Sequence, residues 1–228
     1  HMVICLDRAG LVGEDGPTHH GAFDLAYLRC IPNLTIASPY NEHYLRHLMQ
    51  TAVYGNDGPF VIRYPRGQGE LCDWECDMQK LEIGKGRKIK SGKDLAVLTL
   101  GPIGNAAQEA IDLVEEQGYS IAHYDMIFLK PLDAVLLKEV AENFTRVMTI
   151  ENGVAKGGFG SAVLEFLAEN NYDNIHVECV GLPDEFVTHG SLKELHKLYE
   201  IDTPGLAKRI EAVLSKGSKA VIQERIYK

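Results

Sequence analysis

The chain has 228 residues, of which 45% are hydrophobic and 24% charged, so it can bury one large core or two modest ones. Its 32 acidic and 23 basic side chains give a formal charge of −9, which argues against a nucleic-acid-binding surface or attachment to an anionic membrane. The sequence contains no apolar run long enough to span a bilayer and no signal-peptide pattern. Five cysteines without a regular framework suit a reducing cytosol, so we expect a cytoplasmic protein.

A short apolar run and a polar loop open the chain. Met2–Leu6 is too short for a helix and predicts a buried strand, and residues 7–24 follow it as a loop rich in glycine and titratable groups. In parallel α/β sheets, ligands bind at the loops that follow the carboxyl ends of strands. This loop is therefore a candidate binding site. Its glycines are expected at positions of positive φ or close backbone approach: Gly10, Gly13, Gly16 and Gly21.

The next segment alternates strands with helices. The sequence predicts a short helix at 21–28, a strand at 33–38, a helix capped by Asn41 and a strand at 60–64 that leads into Pro65–Gly69. His43 and His47 have a metal-capable spacing. The glutamate of a metalloprotease motif is absent, so we interpret them as solvated helix-face histidines.

A charged stretch without periodicity, residues 68–83, is predicted to be a linker between two α/β units at 1–67 and 84–217. The second unit opens with a lysine-bearing edge strand. Its further strands are predicted at 94–100, 120–128, 146–150 and 175–180. Ser191 forms a capping box, and a last helix is expected to start at Thr203–Pro204 and end at Gly217, before a tail at 218–228.

Two arginines are candidate anion-binding groups. Arg8 and Arg66 each follow the carboxyl end of a strand, so both can converge on one side of the sheet, where a guanidinium matches phosphate or carboxylate oxygens. The alternative is a pair of structural salt bridges, for example to Asp7 or Asp57.

The same loop contains candidates for proton transfer. His19 is able to move protons near neutral pH, and Asp15 is placed to orient it or to hold a substrate hydroxyl. His20 competes for this role, and neighbouring loop residues tend to point apart. We expect Arg8, Arg66 and His19 to face a shared cleft of sugar-phosphate size.

A second glycine-rich segment, Gly153–Gly160, precedes a helix. Its spacing matches neither the dinucleotide fingerprint nor a phosphate loop, so close helix–strand packing explains it better. Glu151 and Asn152, just before it, are interpreted as structural or as part of a domain interface.

These motifs together resemble a known family. Residues 7–24 follow the pattern Asp-Arg-Ala-Gly-x-Val-Gly-x-Asp-Gly-x-Thr-His-x-Gly-x-Phe-Asp, and residues 64–67 read Tyr-Pro-Arg-Gly. Further matches lie at 27–32, 130–133 and 181–184, and the likeness runs from about Val3 to Leu214. The sequence resembles the 1-deoxy-D-xylulose-5-phosphate synthases, thiamine-diphosphate enzymes of the transketolase superfamily.

The resemblance implies an α/β architecture and a reaction. Residues 1–67 would be the C-terminal half of a pyrimidine-binding domain, and 84–217 a transketolase-type C-terminal domain with a mainly parallel sheet. The family condenses pyruvate with glyceraldehyde 3-phosphate, with loss of CO2, for isoprenoid, thiamine and pyridoxal synthesis. By resemblance, Arg8 and Arg66 would bind substrate, Asp15 and His19 would be catalytic, and a homodimer is expected.

The chain also departs from the family pattern. Family members are far longer, and their N-terminal domain holds the diphosphate and Mg²⁺ through a Gly-Asp-Gly…Asn motif that this sequence lacks. The cofactor-activating glutamate of the family also lies upstream of the matched region. We therefore expect thiamine diphosphate and Mg²⁺ to serve only the full-length enzyme, and this chain alone to be inactive. Alternatives are the partner half of a split transketolase, a 2-oxo acid dehydrogenase β-type subunit, or a non-catalytic dimerisation or regulatory module.

Overall fold

A computed structural model describes residues 1–226 of the chain, with side chains described as far as residue 215. The helices are α1 (Asp24–Leu28), α2 (Glu42–Tyr54), α3 (Ile103–Glu115), α4 (Ala134–Asn143), α5 (Phe159–Glu169), α6 (Leu192–Leu198) and α7 (Thr203–Ile226). The strands are β1 (Met2–Leu6), β2 (Thr35–Ala37), β3 (Pro59–Arg63), β4 (Arg87–Lys90), β5 (Leu95–Thr99), β6 (Ile121–Asp125), β7 (Phe128–Lys130), β8 (Arg146–Val154) and β9 (His176–Leu182).

The first sheet has the order β1-β3-β2-β7. Strands β1 and β2 both run parallel to β3, so the loops that follow β1 and β3 leave the same edge of the sheet. The prediction that β1 is buried is wrong, since it lies at the edge of this sheet and Met2 and Cys5 are exposed. An apolar run of five residues fits an edge strand covered on one face as well as a central one.

The second sheet has the order β4-β6-β5-β8-β9 and is parallel except for β4. This confirms the predicted α/β fold with a mainly parallel sheet and the lysine-bearing edge strand. The chain leaves β5 towards β6 on one side and later returns to β8 on the other side. The carboxyl ends of β5 and β8 therefore flank the point where the topology reverses, which is where open α/β sheets bind ligands.

The single strand predicted at 120–128 is wrong. The structure divides this apolar region into β6 and β7 at Ile127, whose φ is 55°. Strand β7 then leaves the second sheet and pairs antiparallel with β2 of the first. The apolar pattern did not show the break because both short strands are buried.

The two sheets also share a hydrophobic core. One cluster joins Leu25, Ile36 and Val61 of the first unit to Leu98 and Tyr124 of the second. Burial of this shared surface holds the edges of the two sheets in a fixed relation.

Most helix ends follow the predicted capping signals. The Asn41 side chain accepts from Tyr44 N at 3.2 Å, and the capping box at Ser191 is present. The last helix differs, because Asp202, rather than Thr203, accepts from Gly205 N at 3.0 Å and caps it. The helix also continues past Gly217, since one glycine costs only about 1 kcal/mol in a helix. Of the predicted tail, residues 227–228 lie outside the described residues.

The predicted linker runs along α2 without regular structure. Glu42 accepts from Glu70 N at 2.7 Å, and Thr51 Oγ1 accepts from Leu81 N at 2.8 Å. The histidines of α2 take part too, with His43 Nε2 lying 2.9 Å from Asp73 O and His47 Nδ1 accepting from Gln79 N at 3.2 Å. These side chains are half-buried anchors of the linker, so their predicted solvation is wrong.

Candidate functional site

The loop after β1 has the conformation that its glycines predict. Gly10, Gly13 and Gly16 have φ values of 72°, 76° and 74°, which only glycine adopts without strain. Gly21 N donates to Arg8 O at 3.0 Å, and a Cβ on Gly21 would overlap that carbonyl oxygen. The loop is therefore a tight structure closed between its two ends.

This loop also lies against the second unit. Val154 N donates to Ala22 O at 2.7 Å, and Gly190 N donates to Gly13 O at 3.4 Å. A Cβ on Gly10 would come within 2.8 Å of the Asn152 amide. The interpretation of Asn152 as part of a domain interface is confirmed by this contact.

Asp15 and Arg66 meet. The Arg66 guanidinium, in the loop after β3, forms an ion pair with the Asp15 carboxylate, in the loop after β1. The side chain of Arg66 is 53% exposed and that of Asp15 33% exposed, so both groups are open to a ligand from solution. The parallel pairing of β1 and β3 explains this meeting, because both loops leave one edge.

The backbone next to Arg8 is hydrogen-bonded to the segment that leads into Arg66. Ala9 N donates to Tyr64 O at 3.0 Å, which brings the residue after Arg8 against the segment before Arg66. The Arg8 guanidinium is half-exposed and pairs with Asp7 at 3.1 Å, as the salt-bridge alternative predicts.

The structure separates the roles of the two histidines. Val12 N donates to His20 Nδ1 at 3.0 Å, so the proton of a neutral His20 ring lies on Nε2, which is 3.3 Å from Thr188 O. His20 is thus committed to holding the loop against the second unit. The exposed His19 ring contacts only Thr18 Oγ1, at 3.0 Å, among the residues that the structure describes. The other ring nitrogen of His19, Nε2, has no partner among the described residues and is open to a ligand.

A cavity of about 440 Å³ opens between the two units at the carboxyl ends of β5 and β8. Arg66 lines it, whereas Arg8, Asp15 and His19 do not. Asp15 reaches its edge through the ion pair with Arg66. Polar side chains from both units complete the wall: Gln68, Asn105, Glu109, Asn152, His196 and Thr203.

Sequence reasoning missed the contribution of the second unit to this cavity. Burial lowers the pKa of His196, which favours a neutral imidazole in the wall. Thr203 Oγ1 donates to Glu109 at 2.7 Å, joining α7 to α3 beside it. A single histidine on a seven-residue helix gave no signal, whereas the position of Asn152 near the end of a parallel strand offered one.

The glycine-rich segment after β8 confirms the packing interpretation. Glu151 is buried and accepts from Phe159 N and Gly160 N, both at 2.9 Å, at the start of α5. Burial raises the pKa of Glu151 to about 7. A Cβ on Gly160 would lie 2.8 Å from Cys179 Sγ, so glycine permits close helix–strand contact there.

Arg63, at the end of β3, is a functional candidate that sequence reasoning missed. Its side chain has no exposed surface and pairs with Asp24 at 2.8 Å. An arginine inside an otherwise apolar run, Phe60-Val61-Ile62-Arg63, was the available signal, because arginine is seldom fully buried without partners.

Within the described residues, no group of three or more His, Cys, Asp or Glu side chains is arranged to hold a metal ion. In the described part of the chain, no helix is long and apolar enough to cross a bilayer.

Two family models match the chain. The transketolase pyrimidine-binding domain matches residues 1–70, and the transketolase C-terminal domain matches residues 84–206. Both models and the observed sheets thus point to the same superfamily.

Curated relatives and solved structures agree with these models. The chain is 63% identical to the 1-deoxy-D-xylulose-5-phosphate synthase of Phocaeicola vulgatus over 91% of this chain and 33% of that protein. It is 62% identical to the synthase of Parabacteroides distasonis over 92% of this chain and 33% of that protein. The chain thus spans about a third of the length of the curated relatives it matches.

The structural neighbours are transketolases. A split-gene transketolase, described as an inactive beta4 tetramer, is 29% identical with a TM-score of 0.79, over 93% of this chain and 66% of that one. A Pichia stipitis transketolase mutant, at 20% identity and a TM-score of 0.69 over 96% of this chain and 30% of that one, shares the fold. The chain belongs to the transketolase family, with a pyrimidine-binding part and a C-terminal domain, and it is similar in sequence to 1-deoxy-D-xylulose-5-phosphate synthases.

Proposed function

We propose that this chain is the C-terminal part of a 1-deoxy-D-xylulose-5-phosphate synthase and binds the acceptor substrate of that enzyme. The reaction condenses pyruvate with glyceraldehyde 3-phosphate and releases CO2, which serves isoprenoid, thiamine and pyridoxal synthesis. The observation that carries the proposal is the meeting of Arg66 and Asp15 at a cavity formed at the carboxyl ends of parallel strands. The sequence relatives supply the reaction.

Arg66 is the principal phosphate-binding group in this proposal. Its guanidinium lies at the cavity and half of its side-chain surface is open, so a phosphate has access to its donors. A guanidinium binds two phosphate oxygens at once, which fixes the acceptor in one orientation. The ion pair with Asp15 is partly exposed and therefore weak, so a dianionic phosphate is able to displace the carboxylate. Arg8 adds a second positive charge at the same edge.

Asp15 and His19 act on the reacting oxygens. Once a phosphate occupies Arg66, the released Asp15 carboxylate is available to accept a hydrogen bond from a substrate hydroxyl. The free nitrogen of His19 is available for proton transfer to the acceptor oxygen. His20 is excluded from this step because both of its ring nitrogens hold the loop.

The cofactors of the reaction are thiamine diphosphate and Mg²⁺. When bound, thiamine diphosphate supplies the electron sink for decarboxylation. Because the sequence lacks the Gly-Asp-Gly…Asn motif of the family, we propose that the diphosphate and Mg²⁺ are held by groups outside this chain. In the same proposal the enzyme is a cytoplasmic homodimer, and the 228-residue chain alone has no turnover.

The test is an assay of the longest form of the protein with pyruvate, glyceraldehyde 3-phosphate, thiamine diphosphate and Mg²⁺. We expect 1-deoxy-D-xylulose 5-phosphate and CO2 in equal amounts. CO2 release without the sugar phosphate product, or no reaction of the longest form, would contradict the proposal. The 228-residue chain, assayed alongside, is expected to be inactive.

A second candidate is the partner half of a split transketolase. The likeness to a split-gene transketolase over 93% of this chain favours it. This candidate predicts ketol transfer between sugar phosphates when a separate thiamine-binding subunit is added. Activity with pyruvate as donor, and none with ketose phosphates, would decide for the synthase.

A further inference from the structure

Arg63 makes more interactions than a buried ion pair needs. Its Nε donates to both carboxylate oxygens of Asp24 at 2.8 Å. Its Nη1 donates to Asn152 Oδ1 at 2.5 Å, and its Nη2 donates to Gly21 O at 2.7 Å. Each of the three guanidinium nitrogens thus has a partner, so the charge is satisfied without water.

The acceptors come from separate parts of the chain. Gly21 and Asp24 close the loop that contains Asp15 and His19, while Asn152 belongs to β8 of the second unit. Arg63 itself lies three residues before Arg66 on the segment that leads into the second loop. One side chain therefore connects both substrate-facing loops and the second unit.

The hydrogen bonds of Arg63 also hold a residue of the cavity wall in place. Asn152 lines the cavity together with Arg66, and its amide lies so near Gly10 that a Cβ added there would come within 2.8 Å of it. The Arg63 guanidinium thus holds the Asn152 amide oxygen, and the absence of a side chain at Gly10 leaves room for the amide beside the loop. A shift of Arg63 would move the wall and both loops together.

Stability alone is a poor explanation of this network. Buried ion pairs are costly to desolvate, and apolar residues of similar volume often stabilise a core as well. A rigid guanidinium fork with three differently placed acceptors instead specifies one geometry. Lysine carries the same charge on a single nitrogen and is unable to reach the three acceptors in the same way.

We propose that Arg63 is a positioning residue that fixes the loop of Asp15 and His19, the loop of Arg66 and the Asn152 wall in the arrangement that binds the acceptor phosphate. This inference rests on the proposed function. It assigns the role to the hydrogen bonds of Arg63 with Gly21, Asp24 and Asn152, and not to contact with substrate.

The test compares Arg63→Lys with the matched control Arg87→Lys in the longest form of the protein. Arg87 pairs through Nε with the buried Asp125 at 3.1 Å and lies over the rings of Tyr40 and Tyr44 in the first unit; among the described residues, these partners all lie outside the two loops. Both variants are expected to lower Tm. Only Arg63→Lys is expected to raise the KM for glyceraldehyde 3-phosphate, by about tenfold, since displacing a positioning group by ~1 Å costs up to about 10²-fold. Its KM for pyruvate should stay within about twofold of wild type, as expected for an independent site.

An equal acceptor KM in the two variants would overturn the inference. If Arg63→Lys does not fold, Asp24→Asn takes its place, because it keeps the shape of Asp24 and removes one acceptor of Arg63. If the wild-type protein has no synthase activity, the proposed function fails, and hydrogen exchange still tests the network. Amides of residues 8–22 should exchange faster in Arg63→Lys than in Arg87→Lys, and equal exchange would overturn the positioning role.

Discussion

At the residue scale, the central contact is the ion pair between Asp15 and Arg66. The two side chains lie on different loops and are partly exposed, so the pair contributes about 0–1 kcal/mol to stability. Its weakness suits a site in which a phosphate replaces the carboxylate. The ion pair therefore keeps both side chains at the edge of the cavity and leaves the cavity open.

Asp15→Asn tests whether Asp15 acts in catalysis while Arg66 binds the acceptor phosphate. We expect kcat to fall about 10²-fold, the lower range for loss of an acid–base or polar catalytic group. The KM for glyceraldehyde 3-phosphate should not rise, because the amide leaves Arg66 free for phosphate. Steady-state kinetics with both substrates varied provide the measurement. A raised acceptor KM with normal kcat would assign Asp15 to binding instead.

Glu151 gives a pH-dependent prediction. Its pKa is about 7 in the folded protein, above the ordinary value of 4.5, because burial penalises the charged form. The folded state therefore binds the proton more tightly, and the contribution of Glu151 to stability falls as the pH rises from 4.5 through 7.

Thermal unfolding of Glu151→Gln between pH 5 and pH 8 measures this effect. The amide does not titrate, so the Tm advantage of wild type over the variant should shrink as the pH rises. A Tm difference that stays constant across this range would show that Glu151 does not change charge there.

At the element scale, strand direction explains why the loops after β1 and β3 could be predicted from the sequence to lie close together. Parallel strands place their following loops at one edge, so the sequence predicts that Arg8, His19 and Arg66 face a shared cleft; in the structure, the two loops meet through Asp15 and Arg66. The glycines at 10, 13 and 16 signalled the tight loop directly. The partners of Arg63 and the interruption between β6 and β7 depend on tertiary contacts that local pattern does not encode.

Gly21→Ala tests whether the loop geometry is required. The added methyl group would overlap the Arg8 carbonyl oxygen, so the closing hydrogen bond must break or the backbone must shift. We expect a loss of about 1–3 kcal/mol in stability, as for other overpacked sites, and a larger relative loss of activity. Gly58→Ala is the control, since its Cβ would lie 3.5 Å from the nearest atom, Asn33 O. Equal effects in the two variants, measured by urea unfolding and kcat/KM, would contradict the prediction.

At the scale of the whole molecule, the two α/β units behave as one structural body. Strand β7 of the second unit completes the first sheet, and one apolar cluster spans both units. The candidate cavity depends on this union, because its walls come from both sides. The sequence predicted two units and a linker but gave no sign that a strand passes between them.

Calorimetry of the chain tests whether the two units unfold together. We expect a single cooperative unfolding transition with equal calorimetric and van't Hoff enthalpies, because the first sheet needs β7 of the second unit and the apolar cluster draws on both units. Two separate transitions would show that the units fold independently and that the shared core adds little.

The central claim is that Arg66 binds the phosphate of the acceptor. The most direct measurement compares Arg66→Ala with wild type, in the longest form of the protein, using glyceraldehyde 3-phosphate and unphosphorylated D-glyceraldehyde as acceptors. A charged hydrogen bond is worth about 1.5–3 kcal/mol, so the KM for the phosphorylated acceptor should rise about 10- to 100-fold, while that for D-glyceraldehyde stays unchanged. Equal losses with both acceptors, or no loss with either, would contradict the account.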